Sequence, residues 1–171
     1  INLIKRIKES LSWLPKNRPA FGTNITYCGA TWCHGFTKKV AKVVEIIGLN
    51  IYPTDPDWGA NFPDEELTGI VRRWLDGARE ATGNRPFAIN ETGASCVAPY
   101  GSPESQAQYA RLLIDYLKQH KDTISYAVWF SMYDNPPLTQ TFPFFGKIGL
   151  KTINDTKRPA YEVWAKQEGS I

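Results

Sequence analysis

The sequence predicts an α/β protein built on a parallel β-sheet. Short runs rich in β-branched and aromatic residues alternate with longer segments whose apolar residues recur at helical spacing. Alternation of that kind lays strands side by side, joined by right-handed helical crossovers. The length of 171 residues holds one ordinary domain, so all elements belong to a single unit over residues 1–171.

The elements read in order. Asn2–Leu14 carries Leu3, Ile4, Ile7, Leu11 and Leu14 on one stripe and predicts a helix, ended by Pro15 and Pro19. Asn24–Cys28 reads as a short strand, and a brief helix follows near Thr37–Val43. Glu45–Tyr52 is apolar nearly throughout, the pattern of a strand covered on both faces. Pro63-Asp64-Glu65-Glu66 opens a helix, with proline in the first turn and acids at the positive end of the dipole. Leu67, Ile70, Val71, Trp74, Leu75 and Ala78 form its inner stripe, and Gly83 ends it. Phe87–Glu91 is the third strand. Ser102-Pro103-Glu104 caps the next helix, whose inner face is Ala107, Ala110, Leu113, Ile114 and Leu117. Ile124–Phe130 is a fourth strand, and a last helix follows Pro159.

Two architectures fit this order: an open doubly wound sheet, or part of a (β/α)8 barrel. The absence of a glycine-rich phosphate loop after any strand weakens the nucleotide-binding form of the first. A complete barrel takes about 250 residues and rarely fewer than roughly 200. A barrel here is therefore half of one.

Composition narrows the function classes. Hydrophobic residues at 42% and charged residues at 22% are ordinary for a globular protein, which excludes disorder, collagen-like repeats and a coiled coil. The longest apolar stretches, around Val43–Leu49 and Tyr126–Phe130, are too short to span a bilayer, so no membrane partner is expected. A net charge of +3 without a basic run argues against nucleic acid. Six Trp and eight Tyr fit a core plus a stacking surface, or merely a bulky core. Cys28, Cys33 and Cys96 make no disulfide framework; the count fits one bridge with a spare thiol or, the favoured reading, three reduced thiols. Cys28, Cys33 and His34 lack zinc spacing, so neither metal nor cofactor is expected. The start at Ile1, without a charged-then-apolar leader, reads as a chain processed or cut from something longer. Sequons at Asn24, Asn90 and Asn154 match chance and do not place the chain outside the cell.

In parallel sheets, functional residues gather at the carboxyl ends of strands. There lie Trp32 and His34 after the first strand, and Asn50, Tyr52, Asp55, Asp57 and Trp58 after the second. Asn90-Glu91-Thr92-Gly93 ends the third, and Trp129, Phe130, Tyr133 and Asp134 follow the fourth. The set is carboxylates and aromatics, with neither a Ser-His-Asp group nor a ligand array. Such a set suits glycoside chemistry: a carboxylate stabilises or attacks an oxocarbenium-like centre, and aromatic faces stack on sugar C–H groups. Glu91 stands out because a charge ending a buried strand is costly unless the strand end opens into a solvated or hydrogen-bonded pocket. The competing reading is that Glu91 caps the next turn or pairs with an arginine. Asp134, before Asn135-Pro136-Pro137, reads as a turn former.

Arg85-Pro86-Phe87-Ala88-Ile89-Asn90-Glu91-Thr92-Gly93 resembles the seventh barrel strand of clan A glycoside hydrolases. Ile46–Pro53 is similar to that clan's sixth strand, particularly in endo-β-1,4-galactanases, and Ala127–Phe130 to its eighth. Gly149-Leu150 through Lys157-Arg158-Pro159-Ala160-Tyr161 resembles its closing segment. The resemblance covers roughly residues 20–167 and implies strands five to eight of a TIM barrel, closed by the missing half or by a second copy in a homodimer. It implies a retaining hydrolase of a β-linked oligo- or polysaccharide with Glu91 as nucleophile. Tyr52 would donate to Glu91, and Trp129 would floor the sugar site. Asn50, Trp58, Trp32 and His34 are further candidate substrate contacts. Two departures matter. The clan's acid/base Glu, after an Asn ending strand four, would precede residue 1, and Asn50 stands where many relatives carry His or Ser. An alternative is a non-catalytic carbohydrate-binding or assembly module made from barrel parts.

Overall fold

The computed structural model describes residues 1–10, 12, 20, 22–52 and 64–167. Strands β1 (Gly22–Tyr27), β2 (Ile46–Ile51), β3 (Phe87–Thr92) and β4 (Ile124–Trp129) form one parallel sheet in sequence order. Helices α1 (Asn2–Ser10), α2 (Thr31–Ala41), α3 (Asp64–Ala81), α4 (Pro103–Gln119) and α7 (Pro159–Ala165) accompany it. Two short helices, α5 (Pro136–Thr141) and α6 (Pro143–Gly146), follow β4 and have no counterpart in the sequence reading. No described helix is long and apolar enough to cross a membrane.

A single helical layer covers the sheet. Ile25 and Tyr27 of β1, Ile47, Leu49 and Ile51 of β2, Phe87 and Ile89 of β3, and Ile124 of β4 share one core with residues of α2, α3, α4 and α7. That core buries the predicted stripes of α3 and α4, from Leu67 to Ala78 and from Ala107 to Leu117. Serine 102 caps α4 as expected: its Oγ accepts from Ser105 N while Ser105 Oγ accepts from Ser102 N.

The opposite face is open. Ile46, Tyr126 and Val128 are 52%, 51% and 47% exposed there. The reading of β2 as covered on both faces is therefore corrected: its apolar run serves one buried face, and on the other Ile46 is bare. The predicted amino-terminal helix is present over Asn2–Ser10, but little of its stripe is buried. Leu3 and Ile7 are exposed, no α1 residue is buried, and only Ile1 and Ile4 pack partly on the core. Leu11 and Leu14 lie outside the described residues.

Cys28 and Cys33 are joined in a disulfide and Cys96 is free, so the chain has one bridge with a spare thiol and not the favoured three reduced thiols. The bond ties the end of β1 to the first turn of α2.

The strands are not regular. Leu49 pairs with Ile89 but Asn50 pairs with Glu91, so Asn90 is an extra residue in β3. The β4 side counts the same insertion, three residues from Ile89 to Thr92 against two from Ala127 to Trp129. β4 has its own extra residue nearer its start, because Phe87–Ile89 spans two residues and Ile124–Ala127 three. Each bulge reverses the face that later side chains take.

Candidate active site

Glu91 emerges at the carboxyl end of β3 beside Asn50. A regular strand counted from Phe87 would turn it into the helical layer. The extra residue at Asn90 turns it to the open side instead, and Thr92 to the helices. There the Thr92 hydroxyl donates to Ile51 O at 2.7 Å and hydrogen-bonds the buried Tyr109 hydroxyl of α4.

Tyr52, the residue after β2, donates its hydroxyl to Glu91 Oε2 at 2.9 Å. Burial, then this hydrogen bond and the charge of Glu91, push the Tyr52 phenol far above its ordinary range. It therefore stays protonated and keeps its proton for the bond to Glu91. Its ring is wedged edge-on among Phe130, Phe144 and Phe145, with centroids 6.2, 6.1 and 5.1 Å away. Tyr52, Phe144 and Ile148 form a second, small core at this rim.

The loops after β3 and β4 are fastened together behind the site. Gln106 of α4, fully buried, donates to Ala94 O at 2.9 Å and Ile148 O at 3.2 Å. Phe130 N donates to Thr92 O at 2.8 Å and Cys96 N to Lys147 O at 3.0 Å. Arg158 holds Asp134 with both carboxylate oxygens engaged, Nη1 to Oδ1 at 2.7 Å and Nη2 to Oδ2 at 2.6 Å. Asp134 is thus a buried ion-pair partner and not a turn former; Asn135 takes that part by capping α5 at Leu138 N.

The other predicted residues divide. Asn50 lies next to Glu91, and its buried Oδ1 has no hydrogen-bond partner. Trp58, Asp55 and Asp57 lie outside the described residues. Trp129 is corrected: it is 6% exposed, packs on Tyr109 of α4 and Trp164 of α7, and donates Nε1 to Ile148 O at 2.9 Å. It faces the helices because of the bulge in β4, so it offers no sugar platform. Phe130, named with the strand-end aromatics but not among the candidate sugar contacts, is 39% exposed and in ring contact with Tyr52 at that rim. His34 lies apart from the Tyr52–Glu91 pair, beside the end of β1. It sits one turn into α2, with Nδ1 3.4 Å from the Tyr27 hydroxyl and Nε2 3.8 Å from Glu80 of α3, within the helical layer. Trp32 is on the first turn of α2, 70% exposed, rather than in a loop. Among the described residues no group of three or more His, Cys, Asp or Glu is placed to hold a metal ion.

No protein-family model and no curated protein sequence matches the chain. Solved structures do. A glycoside hydrolase family 17 β-1,3-glucanosyltransferase from Rhizomucor miehei superposes with a TM-score of 0.63 at 19% identity, over 93% of this chain and 55% of that one. The chain has the fold of half a TIM barrel. A Lactobacillus rhamnosus β-glucuronidase matches this half-barrel with a TM-score of 0.68 at 14% identity, over 99% of it and 29% of the glucuronidase. The xylanase 10B of Clostridium thermocellum, complexed with xylohexaose, gives 0.60 at 12% identity, over 96% and 32%. The half-barrel thus spans about half the length of the glucanosyltransferase and about a third of the xylanase and glucuronidase chains. The open sheet, the single helical layer and these partial coverages agree on one half of an eight-stranded cylinder.

Proposed function

We propose that the half-barrel contributes the nucleophile side of a retaining β-glycosidase acting on a β-linked oligo- or polysaccharide. The observation that carries this reading is the hydrogen bond from Tyr52 to Glu91 at the carboxyl rim of the open face. Glu91 attacks the anomeric carbon as the glycosidic bond breaks, forming a glycosyl ester; water then cleaves the ester with retention. The proton for the leaving oxygen comes from a carboxylic acid outside residues 1–171. Asp134 is unsuited to that part, since Arg158 holds both its oxygens in a buried pair. Tyr52 keeps the attacking oxygen oriented, and Phe130 offers the sugar an apolar edge.

The missing acid also decides how the open face is closed. Among the described residues β1 and β4 are the unpaired edges of the sheet, and such edges recruit further strands. A second copy would close the cylinder but bring only another Glu91, in the wrong place for the 5–5.5 Å carboxyl spacing of a retaining pair. The complementary half of a barrel supplies both strands and acid.

A 2-deoxy-2-fluoro glycoside with a dinitrophenolate leaving group tests the reading. That leaving group departs without protonation, so the ester forms even where the acid is absent. Peptide mapping is expected to find the fluorosugar on Glu91 and none on a Glu91→Gln chain. Saturable glycan binding with no label at any concentration would favour the alternative of a binding module, for which the occupied Asp134 is the supporting observation.

A further inference from the structure

We infer that Asn90 is a positioning residue for Glu91, an inference that rests on the nucleophile reading above and adds to it the device that aims the carboxylate. Asn90 is the extra residue of the β3 bulge, and its side chain lies on the open face. Its Oδ1 accepts from the Tyr126 hydroxyl of β4 at 3.0 Å, and its Nδ2 donates to Asn24 Oδ1 of β1 at 3.4 Å. β1 is not a neighbour of β3, so the amide must cross β2 to reach it, and it crosses at Gly48. A Cβ at position 48 would strike the Asn90 amide nitrogen. Glycine leaves the crossing open, and a side chain at position 48 would push the Asn90 amide out of its path.

The arrangement links both bulges. Tyr126 sits where β4 carries its extra residue, and Asn90 is the extra residue of β3. One hydrogen bond joins the two irregular sites, and a second extends the brace across the sheet. A bulge without such support can relax to regular pairing, and a slip of one residue turns the following side chain to the other face. For β3 that side chain is Glu91, which would swing from Tyr52 toward the helices. Asn90 thus acts on Glu91 through the backbone, without touching it.

The test uses the whole chain with 13C-labelled glutamate, reading the Glu91 carboxyl resonance, assigned by its loss in Glu91→Gln. Tyr52→Phe is expected to shift that resonance in the parent chain. In Asn90→Ala the resonance is expected to lose most of its sensitivity to Tyr52→Phe, with the helical signal retained. Gly48→Ala, which leaves Asn90 in place and blocks its path, is expected to do the same, and Tyr126→Phe to give a smaller loss. Undiminished sensitivity in Asn90→Ala and Gly48→Ala overturns the inference. Should either chain fail to fold, Tyr126→Phe decides, and full sensitivity there overturns it. The readout needs no turnover. A missing fluorosugar label with the coupling intact would remove the nucleophile and leave the brace; a label with no coupling loss would do the reverse.

Discussion

Glu91 and Trp129 stand at the ends of neighbouring strands and point to opposite faces of the sheet, each on the face a regular strand would deny it. Counted from Phe87, position 91 belongs with the helices; counted from Ile124, position 129 belongs on the open side. One extra residue in each strand exchanges them. Trp129→Ala is therefore expected to cost stability, about 3–5 kcal/mol for emptying a buried aromatic site. Phe130→Ala, at a 39% exposed position, is expected to stay within about 1 kcal/mol of the parent yet weaken glycan binding. Urea denaturation and calorimetric titration with oligosaccharides separate the two; a stable Trp129→Ala chain with lost binding would restore the sugar-platform role.

This exchange marks the limit of what the sequence made legible. The strand-helix order, the α3 and α4 stripes and the Ser102 cap follow from periodicity and capping chemistry, which are local. The residues around Glu91 were legible because a carboxylate closes an apolar run. The face of Trp129 was not, since a bulge has no fixed residue signature and one uncounted residue inverts every later assignment. The start of α2 was missed for a related reason: Ala30 occupies its N-cap without a side-chain hydrogen bond, so the usual Ser, Thr, Asp or Asn signal is absent and His34 looked like a loop residue. The Asp134–Arg158 pair joins residues 24 apart through tertiary packing alone.

That pair gives a second prediction. The side chains of Asp134 and Arg158 are 2% and 11% exposed, and Arg158 also donates to Gly149 O at 2.6 Å. Removing the guanidinium leaves a buried carboxylate with Lys147, 3.4 Å away, as the remaining cation. Arg158→Ala is expected to destabilise the chain by about 3–5 kcal/mol, and Arg158→Ala combined with Asp134→Leu by less, because the uncompensated charge is gone. Equal losses in the single and double variants, measured by urea unfolding, would show that packing and not charge is what Arg158 provides.

The thiols give a third. The chain has three cysteines, of which Cys96 alone is free, its thiol pushed up chiefly by burial. Thiol titration of the unreduced chain in guanidinium is expected to count one reactive group, and three after reduction. Closing so short a loop is worth about 2 kcal/mol of unfolded-state entropy. Cys28→Ala with Cys33→Ala should lower the melting temperature by a corresponding few degrees. A count of three without reductant would return all the cysteines to thiols.

Alkaline pH gives the last. Tyr116 of α4 donates to Asp76 Oδ1 of α3 at 2.6 Å. Burial first, then this hydrogen bond, push its phenol up to about 12, against the opposing effect of Arg79. The unfolded chain releases a tyrosine proton near pH ~10. Between those values the unfolded state is ionised while the folded state still holds its proton, so folding weakens as pH rises. The contribution is whole below about pH 10 and is lost as pH climbs through about 12. Tyr27 and Tyr109, both raised mainly by burial, act with the same sign. Urea midpoints taken at pH 9, 10 and 11 are expected to fall, and Tyr116→Phe to fall less steeply because it cannot ionise. Parallel slopes for the two chains would mean that the α3–α4 hydrogen bond does not hold the Tyr116 proton.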